Sequence, residues 1–168
     1  MKSKVVGEIF PRGTPPVEEL FADVDGARMR YLRAGTGPPL ILLHGLMGYS
    51  FSWRFTIPAL ARYATVYAVD SVGTGFSDRP AGLNCSLRSG ADRLLSFLDA
   101  VGVRSFDLLG TSYGGAVAMF ESMVDRALSR SSPEPTASAS QELKVGESLT
   151  RHSNFSYPPL PRRVVSKT

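Results

Sequence analysis

Three short apolar runs, each followed by a glycine-containing loop, constrain the fold of this chain more than any other feature of its sequence. They occupy residues 39–43, 65–69 and 105–109. Runs of this length, rich in apolar and β-branched residues, are typical of strands that are buried on both faces. The segments 50–63 and 87–101 between them carry apolar residues at helical spacing. This alternation predicts βαβ crossovers and an α/β fold whose sheet is mostly parallel and flanked by helices.

A strand pair precedes the first of these runs. Residues 20–24 lead into the turn dipeptide Asp25-Gly26, and residues 27–33 then alternate apolar with basic side chains. Two strands joined by such a dipeptide predict a β-hairpin.

Three helices are expected between and after the apolar runs. Pro58 predicts a kink or a break within residues 50–63, and Gly102 predicts the end of the helix over 87–101. Residues 116–128 form the third helical stripe. The expected apolar face of the first helix comprises Phe51, Phe55, Leu60 and Tyr63, and that of the second comprises Leu87, Ala91, Leu94, Leu95, Leu98 and Val101.

The periodic pattern ends near Leu128, which divides the chain into three parts. Residues 1–19 are predicted as an N-terminal extension and residues 20–128 as the folded α/β unit. Residues 129–168 contain nine serines and five prolines without a period of 2 or 3.6. A segment of this composition buries too little apolar surface to offset the conformational entropy that it would lose on ordering, so we expect a disordered tail.

Composition excludes several classes of protein. Most of the net charge of +4 comes from residues 129–168, where the basic residues are spread singly apart from Arg162-Arg163. This pattern is typical of a solvated tail and predicts neither a nucleic-acid partner nor a membrane partner. One cysteine cannot form an internal disulfide, and no apolar run is long enough to cross a membrane, so a cytoplasmic location is expected. Residues 70–77 carry two glycines after a strand but lack the rest of a nucleotide-binding fingerprint. No cofactor and no metal site are predicted.

The residues Gly110-Thr111-Ser112-Tyr113-Gly114 are the strongest chemical signal. They fit the G-x-S-x-G nucleophile elbow, in which a serine sits on a tight turn between a strand and a helix. The glycines let neighbouring backbones pass where a side chain would collide. The positive end of the following helix would stabilise developing negative charge. We expect Ser112 to adopt a positive φ with its hydroxyl exposed. A serine that merely caps this helix is the alternative interpretation.

Taken together, the motifs resemble the α/β-hydrolase superfamily, in particular meta-cleavage C–C hydrolases, esterases and prolyl-iminopeptidase-like enzymes. The resemblance covers about residues 20–125 and rests on the segments 42–48, Ser52-Trp53, 69–77 and 110–115. It implies that residues 20–128 are a partial α/β-hydrolase domain and that Ser112 is the catalytic nucleophile. It also implies that Leu46 and Tyr113 offer the backbone N–H groups of an oxyanion hole, while His44 holds its loop. A serine in place of aspartate at the elbow argues against dehalogenase or epoxide hydrolase chemistry.

The resemblance does not extend to the rest of a catalytic triad. The family carries its acid and its histidine beyond the elbow, where this sequence has one histidine, His152, in an unrelated context. Two functions therefore stay open. The first is a carboxylester or C–C bond serine hydrolase, acting on a small molecule, that is weakly active or inactive as an isolated chain. The second is a non-catalytic binding or remnant module. We also expect self-association, because Phe106, Leu108 and Leu109 would lie on an unpaired sheet edge.

Overall fold

The computed structural model describes residues 4–5, 10–120 and 149–151, and all the strands in these ranges belong to one sheet. The strands are β1 Lys4–Val5, β2 Val17–Val24, β3 Ala27–Ala34, β4 Pro39–Leu43, β5 Thr65–Val69, β6 Asp107–Gly110 and β7 Leu149–Arg151. Their order across the sheet is β1-β2-β3-β5-β4-β6-β7. The chain thus has the predicted α/β architecture.

The sheet is mixed, and this corrects the expectation of a mostly parallel one. Parallel pairing is confined to β5, β4 and β6 at the centre, and the other pairs are antiparallel. The turn between β2 and β3 explains part of this difference. Asp25 and Gly26 both have positive φ, 52° and 80°, as in the tight turn that joins a twisted antiparallel hairpin. The hairpin was predicted, but its first strand begins at Val17, three residues earlier than expected.

The C-terminal ends of β4 and β6 lie at the same edge of the sheet. In their parallel register Leu40 pairs with Asp107 and Leu43 with Gly110, so both loops leave the sheet on one side. The loop that carries Leu46 and the serine elbow are therefore neighbours. In open α/β sheets this edge is where ligands bind.

The segment 50–63 does not form one helix. A 3₁₀ turn spans Ser50–Trp53, and α1 spans only Ile57–Leu60. Pro58 lies in the first turn of α1, where its missing N–H would have no helical partner, so it begins a helix instead of kinking one. The apolar face predicted for residues 50–63 is wrong, because it assumed one continuous helix where the structure has a 3₁₀ turn followed by α1. Phe55 is 68% exposed, whereas Trp53 and Ile57 are buried.

The helix α2 spans Leu87–Val101 and ends, as predicted, at Gly102 with φ 72°. At its start the Ser86 hydroxyl accepts a hydrogen bond from the Ser89 N–H, which satisfies one of the unpaired first-turn donors. The buried face comprises Ala91, Leu94, Phe97 and Leu98. Leu95, predicted on this face, is 43% exposed.

A third helix, α3, follows the elbow and begins at residue 113, three residues earlier than expected. Its described part covers residues 113–120, and the remainder of the predicted stripe lies outside the described residues. Within the described part of the chain, no helix combines the length and apolarity that a membrane span requires.

Two apolar clusters pack on opposite faces of the sheet, and β4 contributes to both. Ile41 and Leu43 belong to the cluster under α2, while Leu40 and Leu42 belong to the cluster under α1. Alternate residues of a strand point to opposite faces, so this short apolar run is buried from both sides. β4 is therefore held rigidly at the centre of the sheet, and this fixes the position at which the following loop begins.

The far side of β6 is paired, which overturns the expectation of an unpaired edge. β7 runs antiparallel to β6, with Leu108 opposite Thr150 and Leu109 opposite Leu149. A piece of the segment that was predicted to be a tail therefore supplies the missing backbone partners. The rest of residues 129–168, including His152, lies outside the described residues.

Candidate active site

Ser112 occupies a strained position between β6 and α3. Its φ is 52°, and its side chain is exposed. A residue with a Cβ rarely adopts this left-handed conformation, which costs on the order of 1–3 kcal/mol and persists only where the surroundings impose it. The predicted backbone conformation of the elbow is confirmed. The negative φ that a residue capping a helix normally has is not present at Ser112.

Two glycines make the tight turn sterically possible. A Cβ on Gly110 would collide with the backbone of Gly114, and a Cβ on Gly114 would lie 2.5 Å from the carbonyl oxygen of Leu43. The elbow thus packs against itself and against the end of β4 with no room for side chains. The spacing of the two glycines around the serine follows from these two close approaches.

The loop after β4 lies directly against the elbow. A Cβ on Gly45 would lie 3.2 Å from the Cβ of Ser112, and the Thr111 N–H donates to the Leu43 carbonyl over 3.1 Å. Leu46, the next residue of the loop, is 73% exposed. The structure therefore brings together all three of the residues predicted for the site.

The predicted N–H donors have no acceptor among the described residues. Tyr113 is the first residue of α3, where a backbone N–H has no partner within the helix. Leu46 lies in a turn, and no described residue accepts a hydrogen bond from its N–H. Backbone N–H groups without an acceptor are the kind of donor that an oxyanion hole requires.

His44 holds this loop in place, as predicted. Its side chain is buried, and its Nε2 accepts a hydrogen bond from the Ser71 N–H over 3.1 Å. Nδ1 lies 2.7 Å from the Gly45 carbonyl oxygen. Because Nε2 must accept, Nδ1 carries the proton and donates to Gly45. The Nε2 lone pair is therefore engaged, and His44 is not placed as the base for Ser112.

A buried ionic network beneath the loop was missed by the sequence analysis. Asp70, at the end of β5, is fully buried and accepts from the Ser50 N–H at 2.7 Å and the Phe76 N–H at 3.0 Å. Arg30 on β3 donates to the same carboxylate at 3.1 Å and to Glu19 at 2.6 Å. The network connects the loop after β4 to the loop after β5. Little in the sequence indicated this network, because the alternating pattern of β3 predicts that Arg30 is exposed like the other basic residues of the strand.

Tyr113 connects the elbow to the beginning of α2. Its hydroxyl donates to the Cys85 carbonyl over 3.0 Å. Burial raises the pKa of the Tyr113 hydroxyl, and the positive charge of Arg93 opposes this shift. Tyr113 is thereby held by α3 at its backbone and by the Cys85 carbonyl at its hydroxyl.

A concave pocket of about 80 Å³, open to solvent, adjoins the elbow. Its wall is formed by Met29, Leu43, His44, Gly45, Leu46, Met47, Ser71, Val72, Thr74, Cys85, Gly90, Arg93, Leu94, Tyr113, Gly114 and Val117. Among these residues Arg93 alone carries a full charge. The described residues include no group of three side chains that could hold a metal ion.

The strand order, the crossover through α2 and the elbow are those of the alpha/beta hydrolase fold. A family model described as alpha/beta hydrolase fold matches residues 38–120. The soluble epoxide hydrolase of Corynebacterium sp. (strain C12) is 36% identical over 107 residues, which cover 64% of this chain and 37% of that protein. The 2-hydroxymuconate semialdehyde hydrolase of Pseudomonas sp. (strain CF600) is 32% identical over 114 residues, covering 65% and 39%.

A solved structure agrees with these sequence relatives. The epoxide hydrolase CorEH superposes with a TM-score of 0.62 at 34% identity, covering 66% of this chain and 38% of that one. The chain thus spans little more than a third of the length of these relatives. Fold, family match and relatives together place the chain in the alpha/beta-hydrolase family.

Proposed function

We propose that this chain carries the nucleophile and the oxyanion donors of a serine hydrolase acting on a carboxylester or a C–C bond. The observation that carries the proposal is the backbone of Ser112, whose positive φ presents an exposed hydroxyl beside the loop of Gly45. Ser112 would attack the substrate carbonyl. The N–H groups of Leu46 and Tyr113 would then stabilise the negative charge on its oxygen.

The residue type at the elbow separates this proposal from the chemistry named for some relatives. Epoxide hydrolases are among the similar proteins. In the resemblance described above, that chemistry goes with an aspartate at the elbow, where this chain has Ser112. The 2-hydroxymuconate semialdehyde hydrolase among the relatives is named for a small organic substrate, and we expect the reaction at Ser112 to need no cofactor.

The described residues supply no general base for Ser112, which limits the expected activity. A serine hydroxyl at its ordinary pKa is a poor nucleophile near neutral pH. Donors and binding alone leave roughly 10³–10⁴-fold acceleration over water in an enzyme stripped of its triad. That acceleration presumes a pocket formed by a complete domain, whereas this chain spans little more than a third of the length of its relatives, so we expect ester hydrolysis close to the background rate.

Covalent labelling tests the proposal directly. A fluorophosphonate probe should label wild-type protein slowly at Ser112, as located by peptide mass spectrometry, and should not label Ser112→Ala. Added imidazole, as an external base, should speed labelling of the wild type. The matched control is Ser105→Ala, which removes an exposed serine that precedes β6 and should leave labelling unchanged.

The alternative function is a non-catalytic binding module that keeps part of the hydrolase fold. No labelling at Ser112 even with imidazole would favour this alternative. So would equal labelling of wild type and Ser112→Ala.

A further inference from the structure

We propose that this protein binds to the surface of an anionic phospholipid membrane through an exposed aromatic patch at the rim of the pocket. The inference goes beyond the proposed function, because it requires no reaction at Ser112. The aromatic patch is formed by the segments that follow β4 and β5 and consists of Leu46, Met47, Tyr49, Phe51, Phe55 and Phe76. Its first two residues also line the pocket.

Ring contacts join two separate loops into this one surface. The centroid of the Tyr49 ring lies 5.7 Å from that of Phe51 and 5.9 Å from that of Phe76. The Arg54 guanidinium lies over the rings of Phe51 and Phe55, 4.0 and 4.3 Å from their centroids. The aromatic side chains from Phe55 to Phe76 are therefore connected side by side, with an arginine packed between two of them.

The aromatic patch leaves large apolar side chains in water. Met47 is 90% exposed and Phe76 is 60% exposed, and Leu46 and Phe55 are likewise more than half exposed. Single apolar residues are common on a protein surface, but a contiguous group of this kind marks a contact site for a protein or a membrane. The charge and shape of the patch decide between these two partners.

Two arginines carry positive charge at the aromatic patch. Arg54 lies between two of its rings, and the exposed Arg79 donates from Nη2 to the carbonyl of Gly75, the residue before Phe76, over 2.6 Å. Each guanidinium donates to one backbone carbonyl, which occupies only part of its capacity of five donors. The remaining donors are suited to the oxygens of a phosphate group.

The carboxylates near the aromatic patch are buried or paired. The Arg30 guanidinium lies over the Phe76 ring at 4.7 Å and contacts both Asp70 and Glu19. Asp70 is fully buried, and Glu19 is mostly buried. Asp78 is exposed, and its carboxylate accepts a backbone N–H of β3. The charge that the patch presents is therefore mainly positive, which is complementary to an anionic surface.

The shape of the aromatic patch favours a lipid surface over a folded protein. Met47 stands clear of its loop, and a second protein would have to provide a cavity that accommodates it. Lipid acyl chains adapt to an inserted side chain, and the guanidinium groups of neighbouring arginines reach the level of the phosphate groups. Exposed phenylalanine and leucine side chains are typical of proteins that lie in this interface.

The distribution of charge along the sequence had predicted no membrane partner. Most of the net charge lies in residues 129–168, whereas the aromatic patch and its arginines belong to residues 46–55 and 76–79. Contacts between these two loops gather the rings and the two positive charges on one surface. This arrangement depends on the tertiary structure and has no counterpart in the local sequence pattern.

Flotation of the full-length chain with vesicles tests the inference. Vesicles of equimolar phosphatidylcholine and phosphatidylserine should carry the protein to the top of a density gradient, where aggregated protein does not move. Vesicles of phosphatidylcholine alone should bind less protein, by about fivefold for each arginine at the surface. Added salt should weaken binding to the anionic vesicles, because it screens this attraction.

A variant at the most exposed position tests the aromatic patch itself. Met47→Asn removes the protruding apolar side chain, and asparagine tolerates the positive φ of 61° at this position. It should lower the partition coefficient onto anionic vesicles by about tenfold, as should Phe55→Ser and Phe76→Ser. Met119→Asn is the matched control and should bind like wild type. Met119 is also exposed, but it lies on α3, which packs on the face of the sheet opposite α1.

A second pair of variants tests the role of charge. Arg54→Gln should lower binding to the anionic vesicles by about fivefold. Arg88→Gln removes an equal charge from an exposed position of α2, on the opposite face of the sheet, and should bind like wild type. Far-ultraviolet circular dichroism confirms that each variant is folded.

The inference is overturned if the anionic vesicles do not float the protein, or if Met47→Asn and Met119→Asn weaken flotation equally. Equal losses in Arg54→Gln and Arg88→Gln would also overturn it, because they would indicate a general effect of charge. Without vesicle binding, less self-association of Met47→Asn than of wild type in sedimentation velocity would assign the patch to a second copy of this chain instead. None of these measurements involves labelling of Ser112, so the proposed function is tested separately.

Discussion

The backbone N–H of Ser71 donates to Nε2 of His44 over 3.1 Å, which joins the loop after β5 to the loop after β4. Because the imidazole also donates to the Gly45 carbonyl, one side chain fixes the path of the backbone immediately before Leu46. The histidine that precedes the predicted oxyanion donor is therefore a structural part of the site.

Replacing His44 should loosen this loop. His44→Ala removes both hydrogen bonds and leaves the Ser71 N–H without its acceptor, which should lower the free energy of unfolding by about 1–3 kcal/mol. Urea denaturation measures this loss, and labelling of Ser112 should slow in parallel. His44→Gln retains an acceptor and should lose less. Equal stability of all three proteins would show that the loop does not depend on this side chain.

Removing the Asp70 carboxylate should destabilise the fold more strongly. Arg30 is only 4% exposed, and without Asp70 its charge would be held by Glu19 alone. The loss of one partner of a buried ion pair costs about 3–5 kcal/mol, so Asp70→Ala should approach the lower end of this range in urea denaturation.

A partly exposed ion pair provides the matched comparison for Asp70. Glu18 contacts Arg33 at 2.7 Å between β2 and β3, and a pair that water can reach contributes about 0–1 kcal/mol. Glu18→Ala should therefore change stability little. Similar losses in Glu18→Ala and Asp70→Ala would contradict the structural role of the buried network.

Stability should decrease above about pH 10, the ordinary pKa of tyrosine. Burial raises the pKa of both Tyr31 and Tyr113 in the folded protein. A raised pKa means that the folded state keeps protons which the unfolded state has lost. The stability from these groups is then fully present below pH 10 and is lost as the pH rises through the folded pKa.

Tyr113→Phe isolates the contribution of one of these groups. Urea denaturation between pH 8 and pH 11 should give a shallower decrease for this variant than for wild type, by at most about 1.4 kcal/mol per pH unit for one proton. Tyr63→Phe, at an exposed tyrosine, is the control and should follow wild type. Identical slopes for wild type and Tyr113→Phe would contradict a raised pKa of Tyr113 in the folded protein.

Disrupting β7 should promote self-association. Thr150 lies opposite Leu108 in the β6–β7 ladder, and Thr150→Pro removes a backbone donor and disfavours pairing. The exposed edge of β6 would then be available to another chain. Sedimentation velocity should show more oligomer for Thr150→Pro than for wild type or Thr150→Val. Self-association of the wild-type chain itself stays a prediction, and unchanged profiles across the three proteins would argue against this edge as its route.

The remaining histidine should have no catalytic effect. Wild type is expected to hydrolyse a short-chain nitrophenyl ester close to the background rate, and His152→Ala should behave identically, because the sequence around His152 does not resemble the histidine loop of the family. Ser112→Ala defines the background. Rapid turnover that both substitutions abolish would identify His152 as the missing base.

The sequence alone determined the elements whose cause is local. The apolar runs of β4 and β5, the turn at Asp25-Gly26, the end of α2 at Gly102 and the positive φ of Ser112 were all predicted and observed. Each depends on residues close together in the chain: a glycine where φ must be positive, or consecutive apolar side chains where both faces are buried.

Only the tertiary structure decided the features that join distant segments. Arg30 and Asp70 are forty residues apart, and no local pattern indicates that their charges are buried together. The pairing of β7 with β6 likewise joins segments about forty residues apart, and composition had predicted disorder there. Such contacts depend on the register of strands and on the burial of charge. Both are set by the packing of the whole sheet and not by the spacing of neighbouring residues.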